Sequence, residues 1–332
     1  MMLADLARPV LDLAWPAARL SVLGYHRVLV ENDPLLPSDP CAVEFTRTMG
    51  WVKDTFNVIP LSAAVAGLRS GKLPRRALAI TFDDGYANNA TLAVPILSRL
   101  GLHATFFIAT GFLNGGRMFN DTVLESIRAA RGEELDLTGI GLGRHRVGSD
   151  EERRAAISTI LSSIKYQPMT QRTLLSERIA ECAGVSPRRD LMMTSEQVAG
   201  IARSGFDLGG HTVNHPILAG LHESDARREI EMGRLQVEEL AGRPVGLFAY
   251  PNGTPGKDYS SDSVRLVREA GFDGAVSASP GAARPGWDLF QIPRFTPWDR
   301  APMRFAARMW NNAARVEPRL LSIGIATMPR TG

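Results

Sequence analysis

The chain has 332 residues, 44% of them hydrophobic, with 38 Lys and Arg against 35 Asp and Glu and a formal charge of +3. Apolar content of that order supplies a globular core for one large barrel or two domains, and the near-balanced charge, without a strip of interleaved basic and aromatic residues, argues against a nucleic-acid partner. The two cysteines, Cys41 and Cys182, show neither CxxC nor metal-ligand spacing and read as ordinary buried thiols rather than a disulfide framework.

Residues 1–20, MMLADLARPVLDLAWPAARL, predict a short helix packed on the domain, with an amphipathic helix lying on a membrane as the alternative. Asp5 and Asp12 interrupt any signal-peptide core, and no run of about eighteen apolar residues occurs to span a bilayer. The expected location is cytoplasmic, with any membrane contact peripheral and at the inner face. Ser21–Val30, SVLGYHRVLV, is a buried-strand pattern ending at His26-Arg27, where a lone histidine suits a core position. Glu31–Pro40 is loop. Glu44–Phe56 and Leu61–Arg69 carry helical patterns, with a short strand at Asn57–Pro60.

Leu78–Tyr86 reads LAITFDDGY. Its apolar or β-branched run is a strand covered on both faces, closed by Asp83, Asp84 and Gly85. Adjacent carboxylates at the exit of a buried strand repel each other, and burial favours their neutral forms. A cation on one of them resolves the conflict and leaves the other as a base; a plain Asp-Gly turn explains the same residues. Ala90–Leu100 predicts a helix stopped at Gly101, and Ala104–Ala109 the next strand, parallel to the last. Residues 111–190 are long for one connection and read as a mostly helical insertion over the mouth of the main fold. Thr194–Ser204 predicts a capped helix, and Phe206–Gly209 a strand leading to HTVNH. In that stretch His211 and His215 stand four apart, a spacing that lets both imidazoles meet one ion if the backbone turns helically. Two nitrogens and one carboxylate make a catalytic ligand count with a position left for water. Glu223–Leu240 is a charged amphipathic helix whose charges suit a solvated face. Ser261–Ala270 and Pro302–Ala314 predict helices, with a strand at Phe272–Ser277 between them.

TFDDGY together with HTVNH resembles the first two motifs of the polysaccharide deacetylases, the NodB-homology family of carbohydrate esterases, whose usual forms are TFDDG and HSxxH. The resemblance runs from about Ser21 to Phe295. It implies an α/β fold, a deformed (β/α) barrel, with a divalent metal, often zinc, and removal of N-acetyl groups from sugars; two histidines and a carboxylate suit zinc, cobalt, nickel or iron. It implies Asp83 as catalytic base and Asp84, His211 and His215 as metal ligands. No histidine follows His222, so the general acid of the usual C-terminal motif is absent. YHRV matches circularly permuted members, which implies His26 as the acid. Val245–Gly253, VGLFAYPNG, resembles the third motif, FRPPYG, with Ala249 in place of the arginine and Asn252 in place of the tyrosine. The Asn252 backbone N–H keeps the oxyanion role. Arg294, in QIPRF, is the candidate for the missing cation beside the base, a surface salt bridge being its other reading. Tyr250 either lines the site or packs at a strand end. Trp287-Asp288 loosely resembles the fourth motif, where a tryptophan walls the acetyl pocket and an acid tunes the acid histidine. Phe119, Asn120 and Asp121 are candidate sugar contacts, though helix capping explains Asn120 and Asp121 as well.

The expected organisation is a helical segment at 1–20, the deacetylase domain at 21–300 with its insertion at about 111–190, and a helix and tail at 301–332. The expected function is a metal-dependent hydrolase acting on N-acetyl amino sugars of a poly- or oligosaccharide, or of a lipid-linked sugar. Its partner would be the N-acetylated carbohydrate; no oligomeric state follows from the sequence. The competing readings are a catalytically inactive, carbohydrate-binding member of the fold and a metal amidohydrolase for a small amide.

Overall fold

The computed structural model describes residues 15–315 apart from 17 and 298, together with 321. Three strands start the sheet: β1 (Leu20–Tyr25), β2 (Asn57–Val58) and β3 (Ala77–Phe82). Every residue of β1 and β3 is buried, as their unbroken apolar runs require. β1 pairs in parallel with the whole of β3, from Leu20 opposite Ala77 to Tyr25 opposite Phe82. β2 therefore shares the other edge of β3, against Ala77 and Leu78, with β4 (Thr105–Ile108), which takes Thr81 and Phe82. The parallel sheet continues through β7 (Asp207–Gly210), β8 (Leu247–Ala249) and β9 (Gly274–Val276). Beyond β9 the chain returns to β1: Ile292 bridges Val276 and Phe295 bridges Leu23, both in parallel. That return carries the curled sheet round as a deformed (β/α) barrel and sets residue 294 beside the end of β1, one strand from Asp83.

Helices cover the sheet. α1 (Ala42–Thr55) buries Phe45, Met49 and Val52, and α2 (Leu61–Ser70) buries Leu61, Val65 and Leu68. A single π turn, Asn89–Ala93, opens α3 (Val94–Leu100). Side chains of β3 alternate between two clusters, Leu78, Ile80 and Phe82 in the larger, Ala77 and Ala79 in the smaller. Phe82 stacks between Tyr25 and Phe106 at centroid distances of 5.5 and 5.0 Å, a geometry that adds to area burial.

The insertion has its own apolar core. It holds α4 (Phe119–Ala129), a hairpin of β5 (Glu134–Leu137) and β6 (Gly143–Arg146), α5 (Asp150–Ile164) and α6 (Met169–Cys182). The hairpin departs from the expected helical reading. ELDL alternates exposed and buried positions with period two, and Gly141, between the strands, and Gly143, at the start of β6, take positive φ, which a helix interior would not tolerate. Ser149 and Glu152 close a capping box on α5. Cys182 also departs from expectation: Cys41 is buried, but Cys182 is exposed at the end of α6, and both are free thiols.

The remaining helices are α7 (Ser195–Arg203), with the Thr194–Gln197 capping box, α8 (Glu223–Ala241), α9 (Ser261–Glu269) and α10 (Pro302–Ala314). Residues 1–14 of the expected N-terminal helix and most of the tail beyond 315 lie outside the described residues. No described helix is long and apolar enough to cross a membrane.

Candidate metal centre and active-site cavity

In parallel barrels, side chains beyond the C-terminal strand ends gather at one face. Here β1 delivers His26, β3 delivers Asp83 and Asp84, β7 delivers His211, and the segment after β8 delivers Asn252. All of them line one cavity of about 490 Å³, with His215 and Arg294.

The two adjacent acids part company. Asp84 turns into the left-handed region at φ 75°, and its Oδ1 lies 3.4 Å from both His211 Nε2 and His215 Nε2. Potential ligand atoms of these three residues all lie within 4.8 Å of one another. Asp84 Oδ1 is buried and has no hydrogen-bond partner. An orphaned carboxylate oxygen facing two imidazole nitrogens is costly without a cation and fits a divalent ion. His211 Nδ1 lies 2.7 Å from the Ala249 carbonyl; the bond that carbonyl accepts puts the proton on Nδ1 and leaves Nε2 free as a ligand. Burial pushes the His215 imidazole down to about 3, so it is neutral at pH 7. Burial opposes ionisation of Asp84, but the neighbouring His211, His215 and His26 imidazoles hold it well below the usual carboxylate range.

Asp83 meets a different partner. Arg294 Nη1 donates to Asp83 Oδ1 at 2.7 Å, and Nη2 donates to Oδ2. Nη1 also reaches Thr81 Oγ1 at 3.2 Å. Both side chains are buried. Burial alone would raise the Asp83 carboxyl; Arg294, with His211 beside it, outweighs burial and holds it below the usual range. A bidentate guanidinium fixes the carboxylate plane as well as its charge.

The polysaccharide deacetylase family model matches residues 70–145 and 164–275, more than half of the chain. The chain belongs to the polysaccharide deacetylase family. Family membership makes it a hydrolase of the polysaccharide N-deacetylase kind. A curated Bacillus subtilis (strain 168) protein, YxkH, named as a candidate polysaccharide deacetylase, is 20% identical over 279 residues, covering 83% of this chain and 71% of that one. The fold is that of IcaB from Ammonifex degensii (TM-score 0.59, 18% identity, 89% of this chain and 98% of that one). It is equally that of the Streptococcus pyogenes deacetylase PplD, solved with acetate (TM-score 0.58, 15% identity, 88% and 98%).

Beside these deacetylase motifs, the cavity takes in most of the sequence-predicted residues, but not all. His26 is exposed at its wall. Asn120 lines it too. Asp121 lines it as a buried group already engaged, ion-paired to Arg27 and accepting from Tyr86 Oη at 3.2 Å; burial pushes its carboxyl up to about 6. Tyr250 is not in the cavity lining. It is fully buried, stacked on Tyr259 at 3.9 Å, and its hydroxyl donates to the Phe290 carbonyl. Trp287 is also outside the lining: its indole N–H donates to the Gln291 carbonyl at 3.0 Å and its ring packs at the edge of the smaller core cluster. Asp288 pairs with Arg268 instead. Asp39, on the loop after β1, lines the same cavity; burial raises its carboxyl against the pull of His26 and Arg27. Nothing in the periodicity of that loop singles Asp39 out.

The turn between the histidines is not helical. Thr212 and His215 have φ of 65° and 49°, positions that cost non-glycine residues strain and mark functional loops. Two features hold it. Gly233 lets α8 approach so closely that a Cβ there would meet the Thr212 backbone at 2.8 Å. Glu229, read from sequence as part of a solvated face, accepts from Val213 N, Asn214 N and Asn214 Nδ2 at 2.9, 2.8 and 2.7 Å. Glu229→Ala therefore weakens metal binding by about 10–100-fold, the usual cost of losing a group that orients ligands; competition titration with a zinc chelator reads this. Unchanged affinity would show that the loop holds its shape without Glu229.

Proposed function

We propose that this protein hydrolyses N-acetyl groups from amino sugars of a poly- or oligosaccharide, with Asp84, His211 and His215 holding a divalent ion. The carrying observation is the orphaned Asp84 Oδ1 facing two imidazole nitrogens beside a base held by Arg294. Two imidazoles and a carboxylate suit zinc first, and cobalt, nickel or iron as well. When bound, such an ion lowers the pKa of a water and polarises the acetyl carbonyl.

The chain's own residues do the rest. Asp83 accepts the proton of the attacking water, kept ionised and oriented by Arg294. The Asn252 N–H donates to the oxyanion. His26 gives its proton to the departing amine, so the C–N bond breaks to acetate and a free amino sugar. An inactive, binding-only member would tolerate a displaced or occluded acid; an exposed His26 in the same cavity as the acids supports the enzyme. His26→Ala lowers deacetylation of N-acetylglucosamine oligomers by about 10²–10⁴-fold with metal content unchanged. Turnover that survives the substitution moves the acid elsewhere.

A further inference from the structure

The cavity has two unlike walls. One is the barrel face with its acids, histidines and Arg294. The other comes from the insertion and the loop after β1: Leu35, Leu36, Phe119, Leu124, Ile157 and Leu161. These side chains belong to the insertion's own hydrophobic core, which is thus open toward the catalytic residues. Against those six side chains the hydroxyls of a sugar polymer would lose hydration and gain no hydrogen bond in return; the polar groups that the same segments add to the lining include Asp39, Asn120, Asp121 and Lys165. Hydrocarbon would lose nothing there and gain the area it removes from water.

Lys165 follows Ile157 and Leu161 at four-residue steps, on the same helical stripe, and lines the same cavity. Arg27 and Arg294, the other Lys or Arg residues of the lining, are each held by a carboxylate. Lys165 makes no ion pair among the described residues; its Nζ sits 5.4 Å from the Tyr166 ring centroid. The cavity therefore combines a polar reaction end, an apolar wall and an ammonium with no carboxylate partner among the described residues.

We propose that the insertion wall is a subsite for an apolar aglycone, and that the substrate is an N-acetylated amino sugar borne on a lipid through an anionic linkage. Hydrocarbon packs on the leucine wall, the linking phosphate meets Lys165, and the acetamido group reaches the metal end. This rests on the deacetylase reading for its chemistry, but the subsite can be read by binding alone.

The test compares octyl and methyl N-acetyl-β-glucosaminide, below the micellar range, by calorimetry and by acetate release from the zinc-loaded protein. Burying even a few of the additional methylenes predicts a Kd and KM at least about tenfold lower for the octyl glycoside. Leu161→Asn, or Leu36→Asn should the first variant fail to fold, shrinks that ratio to about threefold or less by putting an amide on the wall. Lys165→Ala weakens an octyl phosphodiester of N-acetylglucosamine more than it weakens the octyl glycoside. An octyl glycoside bound no better than the methyl one, a chitooligosaccharide bound better than either, or a ratio untouched by both wall variants would overturn the subsite. Absence of turnover with the binding ratio intact would count against the deacetylase reading and leave the subsite standing.

Discussion

Replacing Asp83 with asparagine lowers turnover by about 10²–10⁴-fold, the range for losing a positioned base, and leaves one metal per chain. The two effects separate because the neighbouring acids have separate partners. Asp84 Oδ1 lies 3.4 Å from both histidines, whereas Asp83 is engaged by Arg294. Asparagine keeps the shape and one acceptor oxygen, so the guanidinium retains a hydrogen bond while the proton acceptor is gone. His211→Ala gives the contrasting result, loss of metal and activity together. The check is kcat with metal content measured on the same samples. An Asp83→Asn protein with near-normal kcat would show that the base is another group.

Removing the other half of that pair should be as damaging, through stability as well as rate. Arg294→Met leaves a buried carboxylate with its main cation gone, and breaking a buried pair from one side costs about 3–5 kcal/mol. In the native protein the Asp83 carboxyl is held below its ordinary value. Its contribution to stability is therefore present above the unfolded value near 3.9 and lost as pH falls through the lower folded value. Without Arg294, burial dominates and the carboxyl moves up. The acid limb of the pH–rate profile then shifts to higher pH, since the proposed base must be ionised. The double variant Asp83→Asn, Arg294→Met recovers part of the lost stability, because neither charge is left alone, but no activity. Denaturant melts of the four proteins measure this cycle. Additive losses, with no recovery in the double variant, would show that the pair is not a unit.

The sequence made the barrel legible where local and tertiary demands agree. Unbroken apolar runs at 20–25 and 77–82 have one stable use, a strand buried on both faces, and the Asp pair and His pair then fall at strand ends facing one cavity. Arg294 was legible only as a candidate, because its role depends on a return segment bridging β9 to β1 through Ile292 and Phe295, a closure no local pattern records. The path between His211 and His215 is not the helical turn that their spacing allowed for, because α8, through Gly233 and Glu229, holds that loop in a left-handed path. Spacing states which residues can meet, not the backbone that brings them together. Tyr250 and Trp287 lie outside the cavity lining for a plainer reason. An aromatic at a strand end packs inward wherever its polar atom finds a partner, and each found a backbone carbonyl. The hairpin at 134–146 was hidden by its charged outward positions, which read as part of a solvated helical region until paired.

The most direct measurement is acetate release from N-acetylglucosamine oligomers by the protein stripped with a chelator and then titrated with zinc or cobalt. Release that is absent in the stripped protein and returns to full rate at one equivalent of metal is the expected result, with His211→Ala failing to recover at any equivalence. Release by the stripped protein at the full rate, or full recovery in His211→Ala, would contradict the assignment of Asp84, His211 and His215 as the centre of the reaction.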